Sequence, residues 1–125
     1  MSDTLTVCGL TIERGTKLRT YLPVPDTNVK IPLTIINGEK DGPTLLITAG
    51  IHGGEYPGIA AAMELGRDIE PEHVTGCLIM MHPVNIQGFW ARREMIVPED
   101  GKNLNRVFPG DPTGTLADKT AYLIS

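Results

Sequence analysis

The chain has 125 residues, a formal net charge of -4, 41% hydrophobic residues and 21% charged residues, which is the composition of one ordinary globular domain spanning residues 1–125. No stretch concentrates Lys and Arg, and the longest apolar runs are too short to cross a bilayer, so we expect neither nucleic acid nor membrane as a partner. Two scattered cysteines exclude a disulfide framework, and Met1–Thr4 lacks the start of a secretory signal, so we expect a cytoplasmic protein.

The first 40 residues or so are predicted to form strands. Ile31, Leu33 and Ile35 alternate with their neighbours in a period of two, as in a strand with one face buried. Pro32 interrupts this pattern and cannot donate a ladder hydrogen bond. We therefore expect the strand at a sheet edge or with a bulge.

Turn residues then precede a second strand. Asn37–Gly38 and Asp41–Pro43 are typical of turns. After them, residues 44–49 form a nearly continuous apolar run. This pattern predicts a central strand that is covered on both faces, as in parallel sheets.

A helix is predicted next, followed by another strand. Pro57 suits a first helical turn, and Gly66 is a plausible end signal. Residues 77–81 then form a second buried strand. Strand, helix and strand within about forty residues indicate a βαβ unit with a parallel pair. The apolar stripe of the helix is predicted to consist of Ile59, Ala62, Met63 and Leu65.

Two features follow toward the C-terminus. From residue 84 to residue 110 no regular period persists, and a segment of that length inside a compact domain is usually functional. Residues 115–125 read as a helix that has just begun, because no Gly, Pro or polar tail ends the pattern. We therefore expect a truncated chain.

His52 and Glu55 form the first candidate site. They lie just past the predicted strand 44–49, and sites in open α/β sheets form at the carboxyl ends of strands. An imidazole and a carboxylate suit zinc, and the three nearby glycines leave room for a metal and its substrate. A plain surface turn is an equally good reading of the spacing. A phosphate-binding loop fits poorly, because neither nucleotide-loop pattern is present.

The second candidate site is the segment 100–110 together with Arg92 and Arg93. Guanidinium groups bind carboxylates at two points, and an Arg near a reacting carbonyl can stabilise an oxyanion. Solvated surface arginines and asparagines that form turns are the alternative. His82, at the end of the second βαβ strand, is a weaker ligand candidate than His52. Satisfied structural histidines are more common at such a position.

The motifs Gly50–Glu55 (GIHGGE) and Asp100–Gly110 (DGKNLNRVFPG) together resemble the succinylglutamate desuccinylase/aspartoacylase family of the zinc carboxypeptidase-like clan. The order of the two motifs and the strand–helix position of the first make the resemblance specific. It covers roughly residues 30–125, the N-terminal part of such a protein. It implies a three-layer α/β/α fold with a mixed sheet.

The resemblance also implies roles for individual residues. His52 and Glu55 would be two of three protein ligands to Zn²⁺, while Asn105 and Arg106 would bind a substrate carboxylate. Arg93, or else Arg92, would polarise the scissile carbonyl. The implied reaction is hydrolysis of the amide or ester bond of an N-acyl amino acid by metal-activated water, with a small acyl compound bearing a carboxylate as substrate.

The chain departs from the family pattern in one respect. Relatives supply a third zinc ligand, a His on a later strand, and a Glu general base beyond it, and neither has a counterpart before Ser125. We therefore expect the parent protein to be the hydrolase and this chain alone to be inactive. A non-catalytic binding or assembly domain and a carboxypeptidase acting on peptides remain alternatives. An exposed sheet edge would also favour homo-oligomers.

Overall fold

Six strands and three α-helices succeed one another along residues 4–125, the part of the chain that this computed structural model describes. Met1–Asp3, on which part of the expectation about secretion rests, lie outside these residues. The strands are β1 (Thr4–Val7), β2 (Leu10–Glu13), β3 (Thr16–Pro23), β4 (Lys30–Asn37), β5 (Lys40–Thr48) and β6 (Thr75–Met81). The helices are α1 (Tyr56–Asp68), α2 (Ile86–Ala91) and α3 (Leu116–Ile124), with short 3₁₀ helices at Pro71–His73 and Leu104–Arg106.

The main sheet is mixed, as the family resemblance implies. Its strand order is β3-β4-β6-β5, and β1 pairs with β2 in a separate antiparallel hairpin. The β3–β4 and β4–β6 pairs are antiparallel, whereas β5 and β6 are parallel and joined through α1. The predicted βαβ unit is therefore confirmed. Asp41–Pro43 do not form the predicted turn but belong to β5, at a register shift between Lys40 and Thr44.

The main core lies against one face of β4. The alternating residues Ile31, Leu33 and Ile35 are fully buried, as their period of two predicts. Residues from β3, from the segment before α3 and from α3 itself pack in the same cluster, among them Leu22, Val97, Leu104, Ala117 and Ala121. This cluster ties the C-terminal helix and the 97–104 segment to the sheet.

The expected edge position of Pro32 is wrong, because β4 lies between β3 and β6. Strand residues point their N–H and C=O groups to the same side, and the Pro32 carbonyl accepts a hydrogen bond from the His82 N–H at 3.1 Å. The nitrogen of Pro32 therefore faces the β6 side, just outside the β4–β6 ladder that runs from Leu33 to Asn37. A proline at that point removes no ladder bond.

The expected central position of residues 44–49 is also wrong. β5 is an edge strand whose hydrogen-bonded neighbour among residues 4–125 is β6 alone. Leu45 is 55% exposed and Leu46 is 40% exposed. The apolar run correctly indicated a strand parallel to β6, but a run of this kind carries no information about which neighbours cover it.

Helix α1 packs on the face of the sheet opposite the main core. Its buried residues are Ile59, Ala62 and Gly66, whereas Met63 and Leu65 from the predicted stripe are about half exposed. Gly66 does not end the helix. It lies so close to β4 that a Cβ there would be 2.9 Å from the Thr34 Oγ1.

Lys17 on β3 fixes the C-terminal end of α1. Its Nζ donates hydrogen bonds to the carbonyls of Gly66, Arg67 and Ile69 at 2.8–3.1 Å. These carbonyls are unpaired within a helix end, and a cation there also complements the helix dipole.

The C-terminal third of the chain combines a confirmed and a missed helix. α3 occupies the predicted helical segment, whereas α2 lies inside residues 84–110, where no regular element was expected. The six residues of α2 are too short for a period to be recognised, and Gly88 in their middle disfavours a helix. Within residues 4–125, none of the helices has the length and apolar character needed to span a bilayer.

Candidate metal site

The turn between β5 and α1 is fixed by the segment that follows β6. The N–H groups of Val84 and Asn85 donate to the carbonyls of Ala49 and Gly50 at 2.8 and 2.9 Å. Gly50 has a φ of 73°, and a Cβ at this position would approach Pro83 to 2.6 Å. Only glycine combines this conformation with this contact. The turn therefore lies in a fixed position at the carboxyl edge of the parallel pair β5–β6.

His52 and Glu55 face each other across this turn. The His52 Nδ1 lies 3.5 Å from the Glu55 Oε1, and the Glu55 N–H donates to the His52 carbonyl at 3.1 Å. The imidazole is 19% exposed and the carboxylate is 61% exposed. Two groups of the predicted site thus come together with one side open to solvent.

Asn103 is the third side chain of this cluster. Its Oδ1 lies 2.9 Å from the His52 Nε2, although the two residues are 51 positions apart in sequence. The same oxygen accepts a hydrogen bond from the Asn105 N–H at 3.0 Å and so caps the 3₁₀ helix Leu104–Arg106. This capping agrees with the alternative that asparagines of the segment 100–110 form turns, but no sequence signal indicates the contact of Asn103 with His52.

Arg92 and Arg93 lie on a loop that is attached to the same turn. Arg92 ends α2 in the left-handed conformation, and the Arg93 N–H donates to the Gly88 carbonyl at 2.9 Å. The next residue, Glu94, accepts a hydrogen bond from the Gly54 N–H at 3.2 Å. Both guanidinium groups are exposed and form no ion pair with any residue of 4–125.

Asn105 and Arg106 also have exposed side chains, which make no ion pair within the described range. They lie in the 3₁₀ helix whose buried residue, Leu104, belongs to the main core. The structure therefore joins His52, Glu55 and Asn103 by direct contacts. Among residues 4–125, the arginines and Asn105 are placed on segments hydrogen-bonded to that cluster, without a side-chain hydrogen bond or ion pair to it.

The segment that carries Asn103 is anchored on α3. The Asp100 Oδ2 accepts a hydrogen bond from the Ala117 N–H at 2.8 Å, and the Lys102 Nζ lies 2.7 Å from the Asp118 Oδ2. This hydrogen bond from Lys102, with those from Thr115, lowers the pKa of Asp118 to about 2. Asp118 also raises the pKa of Lys102. The pair is therefore charged at neutral pH.

Asn85 supports the loop that bears the arginines, and sequence reasoning did not identify it. It is buried, accepts a hydrogen bond from the Gly88 N–H at 3.0 Å, and donates from Nδ2 to the Ile96 carbonyl at 3.0 Å. It thus caps α2 and holds both ends of the 86–96 segment. Asn in front of a helix is a capping signal. Because α2 is too short to show a helical period, Asn85 could not be recognised as its cap from the sequence.

His82 lies in a different environment from His52. It is buried, with its Nε2 2.9 Å from the Thr34 Oγ1, and burial lowers its pKa. Its Nδ1 is buried without a hydrogen-bond partner within residues 4–125. It lines a cleft of about 940 Å³ between the β3–β4 edge and helices α1 and α2, together with Phe89 and the exposed Trp90. A structural histidine is the reading that these contacts favour.

The donor set of the turn fits zinc in type but not in number. One imidazole nitrogen and one carboxylate oxygen are on the same side of the turn, and both are zinc ligands of ordinary kind. Over residues 4–125, no group of three or more His, Cys, Asp or Glu side chains is arranged to hold a metal ion. His52 and Glu55 are therefore the two candidate ligands.

Comparison with known proteins places these features in a family context. Residues 41–123 match the family model described as the succinylglutamate desuccinylase/aspartoacylase catalytic domain. The chain is 43% identical to the N-alpha-acetyl-L-2,4-diaminobutyric acid deacetylase of Halomonas elongata, over 81% of this chain and 31% of that protein.

Solved structures give the same result. A succinylglutamate desuccinylase/aspartoacylase from Rhodobacter sphaeroides superposes with a TM-score of 0.82 at 35% identity, covering 98% of this chain and 39% of that one. The ectoine utilization protein EutE from Ruegeria pomeroyi, in its product-bound structure, superposes with a TM-score of 0.80 at 39% identity, over 87% of this chain and 35% of that one. The chain thus spans between three and four tenths of the length of these relatives.

Proposed function

Because the chain belongs to the succinylglutamate desuccinylase/aspartoacylase family, we propose that it carries part of the active site of a zinc-dependent deacylase. The reaction we propose is hydrolysis of the amide bond of an N-acyl amino acid. The Halomonas relative, a deacetylase of an N-acetylated diamino acid, supports this chemical class of substrate.

The observation that carries the proposal is the approach of His52 and Glu55. An imidazole nitrogen and a carboxylate oxygen lie 3.5 Å apart at the carboxyl edge of a parallel strand pair. This edge is where α/β proteins place their ligands. Zinc bound by these two residues would supply the Lewis acidity that polarises a carbonyl and activates water.

The neighbouring segments supply the remaining roles in this proposal. Arg93, or else Arg92, would donate hydrogen bonds to the oxyanion that develops on the scissile carbonyl, a role that needs a guanidinium without a competing ion pair. Asn105 and Arg106 would hold the substrate carboxylate at two points. The exposed, unpaired state of all three arginines among the described residues supports these assignments.

A zinc titration of the chain tests the metal part of the proposal. We expect binding of about one zinc ion, weaker than at a site with three protein ligands. His52→Ala and Glu55→Gln should abolish it. His73→Ala is the matched control, since His73 is exposed and lies in a separate 3₁₀ helix. Equal binding by the His52 variant, or no binding at all, would contradict the proposal. Tight binding would instead indicate a complete site.

A chimera tests the reaction. Residues 41–123 would replace the matching part of the Halomonas deacetylase, which supplies the rest of a full-length enzyme. We expect the chimera to deacetylate its substrate and to lose this activity with His52→Ala. Arg93→Met should lower kcat about 10²-fold, the usual cost of losing an oxyanion donor. The matched Arg92→Met variant decides between the two arginines, and a folded chimera that is inactive would favour a binding or assembly domain.

Two broader proposals accompany this function. A substrate of this class is a small molecule with a carboxylate, and no described feature calls for nucleic acid or membrane as a partner. A cytoplasmic location is supported by the two unpaired cysteines, Cys8 and Cys77, of which Cys77 donates to the Asn37 Oδ1.

A further inference from the structure

We infer that Asn103 is a positioning residue that fixes the protonation form of His52 and so presents the Nδ1 lone pair of that residue to a metal ion. The consequence for zinc rests on the function proposed above. The positioning itself rests on hydrogen bonds within residues 4–125 alone.

The side-chain oxygen of Asn103 can act only as a hydrogen-bond acceptor. It accepts a hydrogen bond from the backbone N–H of Asn105, and only an oxygen can do so, which settles the orientation of the amide. The His52 Nε2 lies 2.9 Å from this same oxygen. Two acceptors at that distance would repel each other, so the Nε2 must carry the proton. A neutral His52 then has its lone pair on Nδ1.

Glu55 makes this arrangement consequential. The Nδ1 lone pair lies 3.5 Å from a carboxylate oxygen of Glu55, and these two groups also repel each other unless a cation lies between them. Without Asn103, the imidazole would relieve this repulsion by moving its proton to Nδ1 and donating to Glu55. That form cannot bind a metal through Nδ1. Asn103 therefore holds open the ligand position that Glu55 would otherwise close.

The position of Asn103 is itself held from two sides. Leu104, the next residue, is fully buried in the main core. On the other side, Lys102 is paired with Asp118 and Asp100 accepts from the Ala117 N–H, both on α3. The Asp100–Lys102 part of the second motif, for which the proposed reaction has no use, thus anchors the residue that orients His52.

The test is the ring ¹⁵N chemical shifts of the histidines in the labelled 125-residue chain, measured at about pH 8.5, above the range in which imidazoles ordinarily bind a second proton. We expect wild-type His52 to be protonated at Nε2. In Asn103→Ser, the serine can still cap the 3₁₀ helix but cannot reach His52, and the proton should move to Nδ1. In Asn103→Asp, an acceptor of the same length remains and the wild-type form should persist.

The same spectrum contains an internal control. His73 accepts a hydrogen bond from the Glu70 N–H at its Nδ1, so it must be protonated at Nε2 in every variant. A change confined to His52 in Asn103→Ser supports the inference, whereas a change that includes His73 reports general unfolding and counts against it. Protonation of wild-type His52 at Nδ1, or no response to Asn103→Ser in a folded chain, overturns the inference.

Zinc affinity, measured by competition with a chelator, separates this inference from the proposed function. Loss of a partner that orients a metal-bound histidine typically costs ten- to a hundredfold in affinity, so Asn103→Ser should weaken zinc binding at least about tenfold. Asn103→Asp should retain it. If the chain binds no zinc but the ¹⁵N shifts follow the expected pattern, the metal proposal fails and the positioning role stands. If zinc binding depends on His52 and neither readout responds to Asn103→Ser, the reverse holds.

Discussion

β4 and β5 have similar lengths and each pairs with β6, but their surroundings otherwise differ. β4 is paired on both edges and carries fully buried side chains on both faces. β5 is paired on one edge, and its Leu45 and Leu46 are exposed to solvent. Hydrophobic patterning thus reports what a strand is able to bury, while the neighbours available in the folded chain decide what it does bury.

The two halves of the candidate site are attached to different parts of the fold. The 100–106 segment rests on the main core through Leu104 and on α3 through Lys102. The turn that bears His52 and Glu55 continues the exposed strand β5. The hydrogen bond between His52 and Asn103 connects the two halves. We therefore expect a substitution in β4 and a substitution in β5 to affect the candidate site to different extents.

The largest expected effect is a difference in the free energy of unfolding between alanine variants of β4 and β5. Ile35→Ala in β4 removes a fully buried side chain and should lower the free energy of unfolding by about 3 kcal/mol, within the usual 2–5 kcal/mol. Leu46→Ala in β5 deletes a side chain that is 40% exposed and should cost less than about 1 kcal/mol. Urea unfolding followed by circular dichroism measures both. Equal losses would mean that β5 is covered in solution.

Much of the fold was predictable from local patterns. Alternation over residues 31–35 located β4, the apolar runs located β5 and β6, and Pro57 marked the start of α1. Local patterns failed at Asp41–Pro43 and at α2, and the errors about Pro32 and β5 concern strand partners. Pro32 suggested an edge because proline is usually excluded from interior ladders, and its actual tolerance depends on where the β4–β6 ladder begins, which is a property of two strands.

The site was predictable to a smaller extent. Local spacing and the position after a strand predicted that His52 and Glu55 lie close together, and the structure places their side chains 3.5 Å apart. Asn103 reaches His52 across 51 residues, and because capping of the 3₁₀ helix is by itself a common role for asparagine, nothing local indicates this second contact. Contacts between distant loops depend on the assembled core, and no local pattern encodes them. The catalytic and binding roles of Arg92, Arg93, Asn105 and Arg106 remain predictions.

The next expected effect concerns association through the free edge of β5. An edge strand with exposed apolar side chains is a template for pairing with a second copy. We expect the chain to self-associate with rising concentration in light-scattering measurements. Leu46→Lys should weaken this association at least about tenfold, or about 1.4 kcal/mol. A monomer at high concentration would show that the edge of β5 does not mediate self-association.

A matched variant identifies the surface responsible. Met63 is 46% exposed, similar to Leu46, but it lines the cleft beside α1 and not the β5 edge. Met63→Lys should leave association unchanged. If Met63→Lys disperses the chain and Leu46→Lys does not, the apolar cleft is the contact surface, and the comparison of β4 with β5 does not explain association.

The smallest expected effect compares two glycines of α1 that face different surroundings. A Cβ at Gly58 meets nothing within 4 Å, whereas a Cβ at Gly66 would lie 2.9 Å from the Thr34 Oγ1 on buried β4. Gly58→Ala should therefore raise the free energy of unfolding by roughly 0.5 kcal/mol, since alanine restricts the unfolded chain and favours a helix.

Gly66→Ala should instead lower it by about 1 kcal/mol, because the helix gain is smaller than the usual cost of overpacking. Thr34 cannot move away freely, as its hydroxyl is hydrogen-bonded to the buried His82 at 2.9 Å. Thermal unfolding of the two variants shows directly whether each substitution stabilises or destabilises the chain. Stabilisation by both would mean that α1 is not pressed against β4, and that the side of the sheet behind the candidate site is as loosely packed as β5.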